Sequence, residues 1–333
     1  MQSTRRWRHS NNVIAMIEII RERITRFALF ISGFIAARIP GIVLCLLLGA
    51  LSCRQADKPP APPARTATDD LGHVLRIQTA PQRIVSLAPN ITEILFALGL
   101  DSAVAGVTDY CDYPAAARNK PRIGGMLNPN LEQVLDLRPD LVLMSGSGNM
   151  KSDYDKLTSA GVAVFVTYPR TVDSVLTSIS NIGALTGRKT EADSIVKALR
   201  VQKEDILRTA REAPRKSVLM LLSLSPLVAI GPGTFLNELI TLANADNIAG
   251  DAAMAYPVLS REDILRRQPD VIIVTNDLVR STDDILIAYP EWKGLKAIRQ
   301  KRVALVDASI ISRPGPRVIE GLKLIFQAIH PSK

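Results

Sequence analysis

The sequence is poor in the residues that build disulfide frameworks, metal centres and nucleophilic active sites. It holds three cysteines and three histidines in 333 residues. Outside residues 1–52, the histidines are His73 and His330, near opposite ends of the chain, so no histidine-rich metal site is predicted. Cys111 and the stretch Ser145–Gly148 have no histidine nearby to act as a base. The sequence therefore predicts neither catalytic residues nor metal ligands.

Two other binding classes also lack support. Gly231-Pro232-Gly233 follows an apolar run, but Leu236 occupies the third glycine position of a dinucleotide fingerprint. Residues 1–52 carry seven arginines and two glutamates and so contribute +5 of the formal net charge of +9. The remainder has 34 basic and 30 acidic residues and no basic run, so nucleic acid is not an expected partner.

Long apolar runs are confined to the first 52 residues. There an arginine-rich segment precedes an apolar run at 41–52 that is too short to span a bilayer, which predicts a signal peptide over 1–52. Cys53 follows small residues and resembles the lipid-attachment cysteine of bacterial lipoproteins. A proline-rich stretch over 53–68 then forms the expected tether. An uncleaved anchor and a start at Met16 are the alternatives; the expected location is the periplasmic side of the cell envelope.

One segment of the chain occurs twice, 130 residues apart. Residues 130–143 and 260–273 share aliphatic positions and four identities, Glu132/Glu262, Leu135/Leu265, Pro139/Pro269 and Asp140/Asp270. Each copy begins with an N-cap type, Asn130 or Ser260, with a polar residue three positions later at capping-box spacing. A Pro-Asp stop and a buried strand follow. The repeat predicts two similar α/β lobes with a ligand cleft between them.

Short β-branched runs alternate with helical patterns in both halves, which predicts parallel sheets. The expected N-terminal lobe covers 69–170 and the C-terminal lobe 213–333. Between them, 171–212 contains no proline, and its apolar spacing from Lys189 to Arg211 predicts a single long, rigid helix.

Several stretches together carry a family resemblance over residues 69–330. The motifs are Asp69–Gly72, Gln82–Pro89, Asp109–Pro114, Gly231–Phe235 and the two repeats. In this order they resemble the cobalamin/ferric-siderophore class of ABC-transporter substrate-binding proteins. The resemblance implies two α/β lobes, a ligand held between them, and delivery to a membrane permease with its ATPase.

The same resemblance gives the repeated glutamates a role. In the family, one exposed carboxylate on each lobe meets arginines of the two permease subunits, and Glu132 and Glu262 match those positions. A carboxylate in the first turn of a helix also stabilises the helix dipole, so both readings are open. Glu93 and Glu238 form a second matched pair, although Glu93 is expected to act in a capping box after Asn90.

The predicted ligand-binding residues are Tyr110, Met126, Ser145, Tyr256 and Arg313. Tyr110 follows a strand, where open α/β sheets bind ligands. Met126, Ser145 and Tyr256 match positions where the family's cobalamin binders use tryptophan. Arg313 opens the last helix as an anion site, with Arg317 a weaker candidate.

These features lead to one expected function with open alternatives. We expect a monomeric, lipid-anchored substrate-binding protein without a cofactor, which captures cobalamin or a related corrinoid for an ABC importer. A ferric siderophore or haem is the alternative cargo. An envelope enzyme on the same scaffold would need a cluster of acid–base or nucleophilic residues, and a sensor or adhesion lipoprotein would lack a permease.

Overall fold

The computed structural model describes residues 21–26 and 64–331. Residues 21–26 are helical (α1). The rest of the predicted signal peptide, Cys53 and the tether as far as residue 63 lie outside the described residues. The last tether residues, Arg65–Thr68, instead form a strand. Within the described ranges, no helix combines the length and the apolar character needed to cross a bilayer.

The first lobe contains a four-stranded parallel sheet and a separate antiparallel hairpin. Its strands are β1 (Arg65–Thr68), β2 (Val74–Ile77), β3 (Ile84–Ser86), β4 (Val104–Val107), β5 (Leu141–Ser145) and β6 (Val164–Thr167). Its helices are α2 (Pro89–Ala97), α3 (Leu131–Asp136) and α4 (Lys151–Ser159). The sheet order is β4-β3-β5-β6, and β1 pairs only with β2. The predicted parallel sheet is confirmed, whereas the hairpin was not predicted.

The second lobe repeats this plan with one antiparallel strand. Its strands are β7 (Lys216–Leu224), β8 (Leu227–Ala229), β9 (Ala245–Asn247), β10 (Val271–Thr275) and β11 (Val303–Val306). Its helices are α7 (Phe235–Leu242), α8 (Arg261–Arg267), α9 (Asp284–Ala288), α10 (Lys296–Arg299), α11 (Ala308–Ile311) and α12 (Val318–Ile329). The order is β11-β10-β7-β8, with β9 also on β7. Only β8 is antiparallel, because a tight turn joins it to β7.

Two helices, rather than one, lie between the lobes. The predicted long helix is present as α6 (Lys189–Glu212), and α5 (Val172–Thr186) precedes it. Thr171 caps α5 in a complete capping box. Gly187 ends α5 with a φ of 76°, in the left-handed region that favours glycine.

The longer helix α6 makes the crossing between the lobes. Just before it begins, Arg188 Nη2 donates to Gly99 O of the first lobe at 3.4 Å. Just after it ends, Asn244 Nδ2 of the second lobe donates to Ala213 O at 2.8 Å. The prediction of a helical connection is therefore confirmed, although the connection contains a second helix, α5.

The largest of three hydrophobic clusters in the described residues runs through both lobes. It joins Ile84 and Leu141 of the first sheet to Ile179 of α5 and to Val218 and Ile273 of the second sheet. All five side chains are at most 1% exposed. Because separating the lobes would expose this shared core, the connection is stiff.

The caps of the repeated helices form only in part as predicted. Asn130 Oδ1 accepts from Gln133 N at 3.1 Å, and Ser260 Oγ accepts from Asp263 N at 3.0 Å. The reciprocal bond of a capping box is absent from both of these described helices. The predicted cap at Asn90 is wrong, since α2 already begins at the preceding proline, which suits the first helical position.

Candidate functional site

A cleft opens between the two sheets at the carboxyl ends of their strands. Its larger chamber has a volume of about 920 Å³. Asn90 lines it from the first turn of α2, which follows β3, Tyr110 from the loop after β4, and Ser147 from the loop after β5. Asn276 and Ser309 face them from the ends of β10 and β11. This is the edge where open α/β sheets bind ligands.

A smaller chamber of about 540 Å³ continues the cleft. Tyr168 and Arg170 line it from the first lobe, and Leu222, Phe235 and Tyr256 from the second. The two chambers share Ser147, Ser312 and Pro314. Together they can hold a large, extended ligand in contact with both lobes.

Three of the five predicted ligand residues line the cleft with accessible side chains, and a fourth does not reach it. Tyr110, 61% exposed, and Met126 line the larger chamber, and Tyr256, 53% exposed, lines the smaller one. Ser145 is the exception, because it ends a buried strand and is only 2% exposed. Its Oγ bonds Ser147 Oγ at 2.9 Å, and Ser147, two residues later, lines both chambers in its place.

The fifth residue, Arg313, lines the larger chamber with its charge already matched. Its Nη1 lies 2.6 Å from Asp112 Oδ1 and 3.3 Å from Glu93 Oε1. Arg317 Nη2 lies 2.6 Å from the same Glu93 Oε1, and its Nε lies 2.9 Å from Oε2. Because Glu93 and Asp112 belong to the first lobe and the arginines to the second, the four groups join the lobes beneath the cleft.

Three of the four side chains in this cluster are largely buried. The Glu93 side chain is 1% exposed, and both arginine side chains are at most 15% exposed. The capping role predicted for Glu93 is thus wrong, since its carboxylate binds two guanidinium groups. Burial alone would raise the pKa of Asp112, but the hydrogen bond and the charge of Arg313 lower it below its ordinary value. Arg317 also lies 4.1 Å above the centre of the Tyr113 ring.

Asn149, which sequence reasoning missed, positions the first wall of the cleft. Its Nδ2 donates to Met126 O at 2.7 Å and to Leu87 O at 3.1 Å, while its Oδ1 accepts from Ser145 N at 2.7 Å. One amide therefore ties the ends of β3 and β5 to the loop that carries Met126. A lone asparagine in a loop has no distinguishing sequence pattern, so only the fold reveals this role.

Gly231 positions the wall of the cleft in the second lobe, as Asn149 does in the first. Its N–H donates to Ala255 O at 2.8 Å, and a Cβ at this position would lie 2.5 Å from Met254 O. Only glycine permits such a close approach of two backbone segments. The approach holds the 254–257 loop, and with it Tyr256, against the smaller chamber.

Glu132 and Glu262 are exposed and lie outside the lining of both chambers. Each is the second residue of its helix, α3 or α8, and each helix leads into the next strand of its own lobe. The first turns of α3 and α8 consequently lie at the edge where the strands end, beside the cleft. Their placement is the same in both lobes, as the repeat predicted.

The cleft combines apolar and polar surfaces. Exposed apolar side chains face it from both lobes, Tyr110 and Leu127 on one wall and Leu222 and Tyr256 on the other. Exposed apolar surface of this kind usually marks a binding site. Amide and hydroxyl groups lie between them, Asn90, Asn128, Asn276, Ser147 and Ser309. Over residues 21–26 and 64–331, no cluster of three His, Cys, Asp or Glu side chains is suited to hold a metal ion.

Comparison with known proteins identifies the class of the chain. The periplasmic binding protein family matches residues 84–310. An uncharacterized ABC transporter substrate-binding lipoprotein, YvrC of Bacillus subtilis, is 33% identical over 274 residues, covering 80% of this chain and 85% of that protein.

Two solved structures share the fold. The vitamin B12 binding protein BtuF of Vibrio cholerae superposes with a TM-score of 0.67 and 26% identity, covering 75% of this chain and 97% of that one. The haem-binding protein RhuT of Roseiflexus sp. RS-1 gives a TM-score of 0.68 and 26% identity, covering 75% and 99%. These matches confirm the resemblance to ABC-transporter substrate-binding proteins that the motifs indicated: the chain belongs to the periplasmic binding protein family.

Proposed function

We propose that this protein is the substrate-binding lipoprotein of an ABC importer and that it captures cobalamin or a related corrinoid in the cleft between its lobes. The observation that carries the proposal is the two-chamber cleft with exposed apolar side chains on both walls. Tyr110 and Leu127 line the larger chamber from the first lobe, and Leu222 and Tyr256 line the smaller chamber from the second, so a large ligand that fills both chambers would contact apolar surface on both lobes. The vitamin B12 binding relative supports the same class of cargo.

The chemistry of a corrinoid fits the remaining lining. A corrin ring has two broad apolar faces and a rim of neutral amide arms. Asn90, Asn128 and Asn276 offer donors and acceptors that match such amides, and Ser147 and Ser309 add hydroxyl groups. The apolar faces would contact Tyr256 and Leu222, which line the smaller chamber.

Delivery would use the two exposed glutamates and the lipid anchor. Glu132 and Glu262 lie one on each lobe beside the cleft, which supports contact with two permease subunits at once. Exposed charges of this kind mainly orient and accelerate docking. Cys53 would hold the protein at the periplasmic side of the membrane, in line with the lipoprotein name of the Bacillus relative.

Haem is the second candidate cargo. Tyr110 and Met126, both lining the larger chamber, are side chains that can act as axial ligands of haem iron. The haem-binding relative supports this alternative. A tyrosine ligand requires the phenol oxygen, so Tyr110→Phe should abolish haem binding while leaving corrinoid binding almost unchanged.

Calorimetric titration of residues 64–333 with cyanocobalamin, a ferric hydroxamate and haem tests the cargo. We expect cyanocobalamin to bind, and Tyr256→Ala to weaken binding by about 0.5–1.5 kcal/mol beyond the lost contact area, the usual contribution of an aromatic pair. Tyr256→Phe keeps the ring and is the matched control. Absence of binding with all three ligands would contradict the proposed cargo class.

Uptake in cells tests docking and anchoring. Glu132→Lys together with Glu262→Lys should abolish uptake while ligand affinity stays within about twofold, because neither side chain lines the cleft. Glu204→Lys, an exposed charge reversal on α6, is the control and should leave uptake intact. Cys53→Ser should release the protein from the membrane fraction. A large loss of ligand affinity in the double variant would instead assign the two glutamates to ligand binding.

A further inference from the structure

The larger chamber contains two carboxylates that form no ion pair with the described residues. Asp277 and Asp307 line it from the second lobe. Asp307 Oδ1 accepts from Ser309 N at 2.8 Å, where it caps α11. Neither carboxylate has an ion-pair partner among the residues that the structure describes.

Sheet pairing brings the two carboxylates to one wall. β10 and β11 are parallel neighbours, with Thr275 opposite Val306. Beyond them, Asn276 N donates to Val306 O at 3.0 Å, and Asn276 Oδ1 accepts from Ala308 N at 3.0 Å. The residues that follow these strand ends, Asp277 and Asp307, therefore share the edge that faces the ligand.

The arginine of the same chamber does not offset them. Arg313 and Arg317 carry two positive charges, and Glu93 and Asp112 carry two negative charges at ion-pair distance. This cluster is neutral as a whole. The negative charge of Asp277 and Asp307 consequently remains uncompensated at the ligand surface.

The smaller chamber is lined by positive rather than negative charge. Its lining includes one charged side chain, Arg170. Arg170 lies 4.5 Å above the Tyr168 ring, and its Nη2 donates to Tyr168 Oη at 3.0 Å. It forms no ion pair within the described part of the chain. The cleft is thus negative at one end and positive at the other.

We propose that the larger chamber selects cargo by charge, taking ligands whose inserted portion is cationic or a neutral hydrogen-bond donor and rejecting those that insert a carboxylate. The inference rests on the proposed function and narrows its cargo class to neutral and cationic complexes. An inserted carboxylate would lose solvation and face two like charges, whereas an amide N–H or an ammonium would satisfy them. A single acidic arm would be accepted only when it points toward Arg170.

A charge series on two scaffolds tests this selection. The probes are cyanocobalamin, its monocarboxylic acid and an aminoalkyl amide made from that acid, and ferrioxamine B with its N-acetyl and N-succinyl derivatives. On whichever scaffold binds, we expect affinity to rise from the anionic to the neutral to the cationic member, by about tenfold from end to end. Raising the salt concentration should shrink this span, because charge interactions are screened.

Single substitutions test whether Asp277 causes the dependence of affinity on ligand charge. Asp277→Asn keeps the side-chain size and removes one charge, so it should reduce the span between cationic and anionic probes several-fold. Asp136→Asn removes an exposed carboxylate on α3, outside the cleft lining, and should leave the span unchanged.

The outcomes separate the two hypotheses. Equal affinities across a series that binds, or tightest binding of the anionic member or of haem, would overturn the charge selection and leave the transport role intact. Failure of every probe to bind would overturn the proposed cargo class, and the selection with it.

Discussion

The two lobes use the same helix–turn–strand unit, and an aspartate performs the same task in both. Asp140 Oδ2 accepts from Gln82 N at 2.7 Å and from Arg83 N at 3.0 Å, where β3 is about to begin. Asp270 Oδ2 accepts from Ser217 N at 2.9 Å and from Ser217 Oγ at 3.0 Å, at the beginning of β7. The repeated Pro-Asp pair thus ends a helix and also secures the neighbouring strand.

The lobes differ in what surrounds this unit. Asp270 receives a further bond from Lys296 Nζ, which makes an ion pair. Burial alone would raise the pKa of Asp270, but the bonds from Lys296 and Ser217 lower it to about 2. Asp140 is exposed and has no such partner among the described residues. The repeated aspartate thus keeps its backbone hydrogen bonds in both lobes, while neighbouring side chains determine its electrostatic environment in each.

The largest expected difference in stability between the lobes concerns the second matched glutamate pair, Glu93 and Glu238. Glu93→Gln leaves two largely buried arginines without their shared carboxylate and should lower the free energy of unfolding by about 3 kcal/mol. Glu238 is only partly buried, and its Oε2 accepts from Val172 N, a bond that glutamine can also accept. Glu238→Gln should therefore change stability by less than about 0.5 kcal/mol. Urea denaturation of both variants measures the contrast.

The raised pKa of Glu238 predicts how its contribution to stability changes with pH. Burial raises its pKa above the ordinary value, so the native state holds this proton more tightly than the unfolded state does. The stability of the wild type relative to Glu238→Gln should fall as the pH rises through the folded pKa. A wild type that gains stability relative to the variant over this range would contradict the assignment.

The next largest effect compares the repeated aspartates. Asp270→Asn should cost about 2 kcal/mol at neutral pH, because charged hydrogen bonds are lost, and Asp140→Asn about half as much. The lowered pKa of Asp270 contributes stability that is present above its ordinary value of 3.8 and is lost as the pH falls toward about 2. The cost of Asp270→Asn should accordingly shrink over this range. A cost independent of pH would place its origin outside the charge.

Much of the fold could be predicted because strong local patterns specify it. The repeated segments 130–143 and 260–273 each fold as predicted into a capped helix followed by a buried strand, because the cap and the apolar run mark clear boundaries. The parallel rhythm of strand and helix also gave the two lobes. The β1–β2 hairpin was not predicted because its strands have four residues each, only one of the eight residues is buried, and they carry little apolar patterning.

The site was harder to predict because its contacts join distant segments. Glu93 has capping-box spacing after Asn90, yet its partners lie 220 and 224 residues away. The family pattern points to Ser145, but this residue still belongs to the buried strand β5, and Ser147 is the one that lines the cleft. Local spacing identifies residue types; only the packing of the two lobes decides which of them reach the ligand.

A smaller difference should appear between the two glycines that support the cleft walls. Gly231→Ala places a methyl group 2.5 Å from Met254 O, a backbone atom, and should cost about 1–3 kcal/mol while moving Tyr256. Gly148→Ala meets the terminal methyl of Met126, which can rotate away, so stability should fall by less than about 1 kcal/mol. Thermal denaturation with cyanocobalamin titration checks both. Equal stability losses would mean that the two walls are equally rigid.

The smallest expected effect concerns the turn that closes each repeated helix. Arg138 and Gln268 occupy equivalent positions, and both have a φ of 46°, which glycine adopts most readily. Arg138→Gly should stabilise the protein by about 0.5 kcal/mol after the extra entropy of the unfolded chain is counted. Gln268→Gly gains the same relief but loses two side-chain bonds, from Nε2 to Leu265 O and from Lys296 N to Oε1.

Because those two bonds together outweigh the relief, Gln268→Gly should be neutral or destabilising while Arg138→Gly stabilises. The measurement is the urea midpoint at an unchanged m-value, which reports stability rather than a change in the unfolded state. Arg138→Ala and Gln268→Ala serve as controls, since alanine removes the side chain without relieving the backbone. If both glycine variants stabilise equally, the bonds of Gln268 contribute nothing, and the two turns are equivalent in energy as well as in shape.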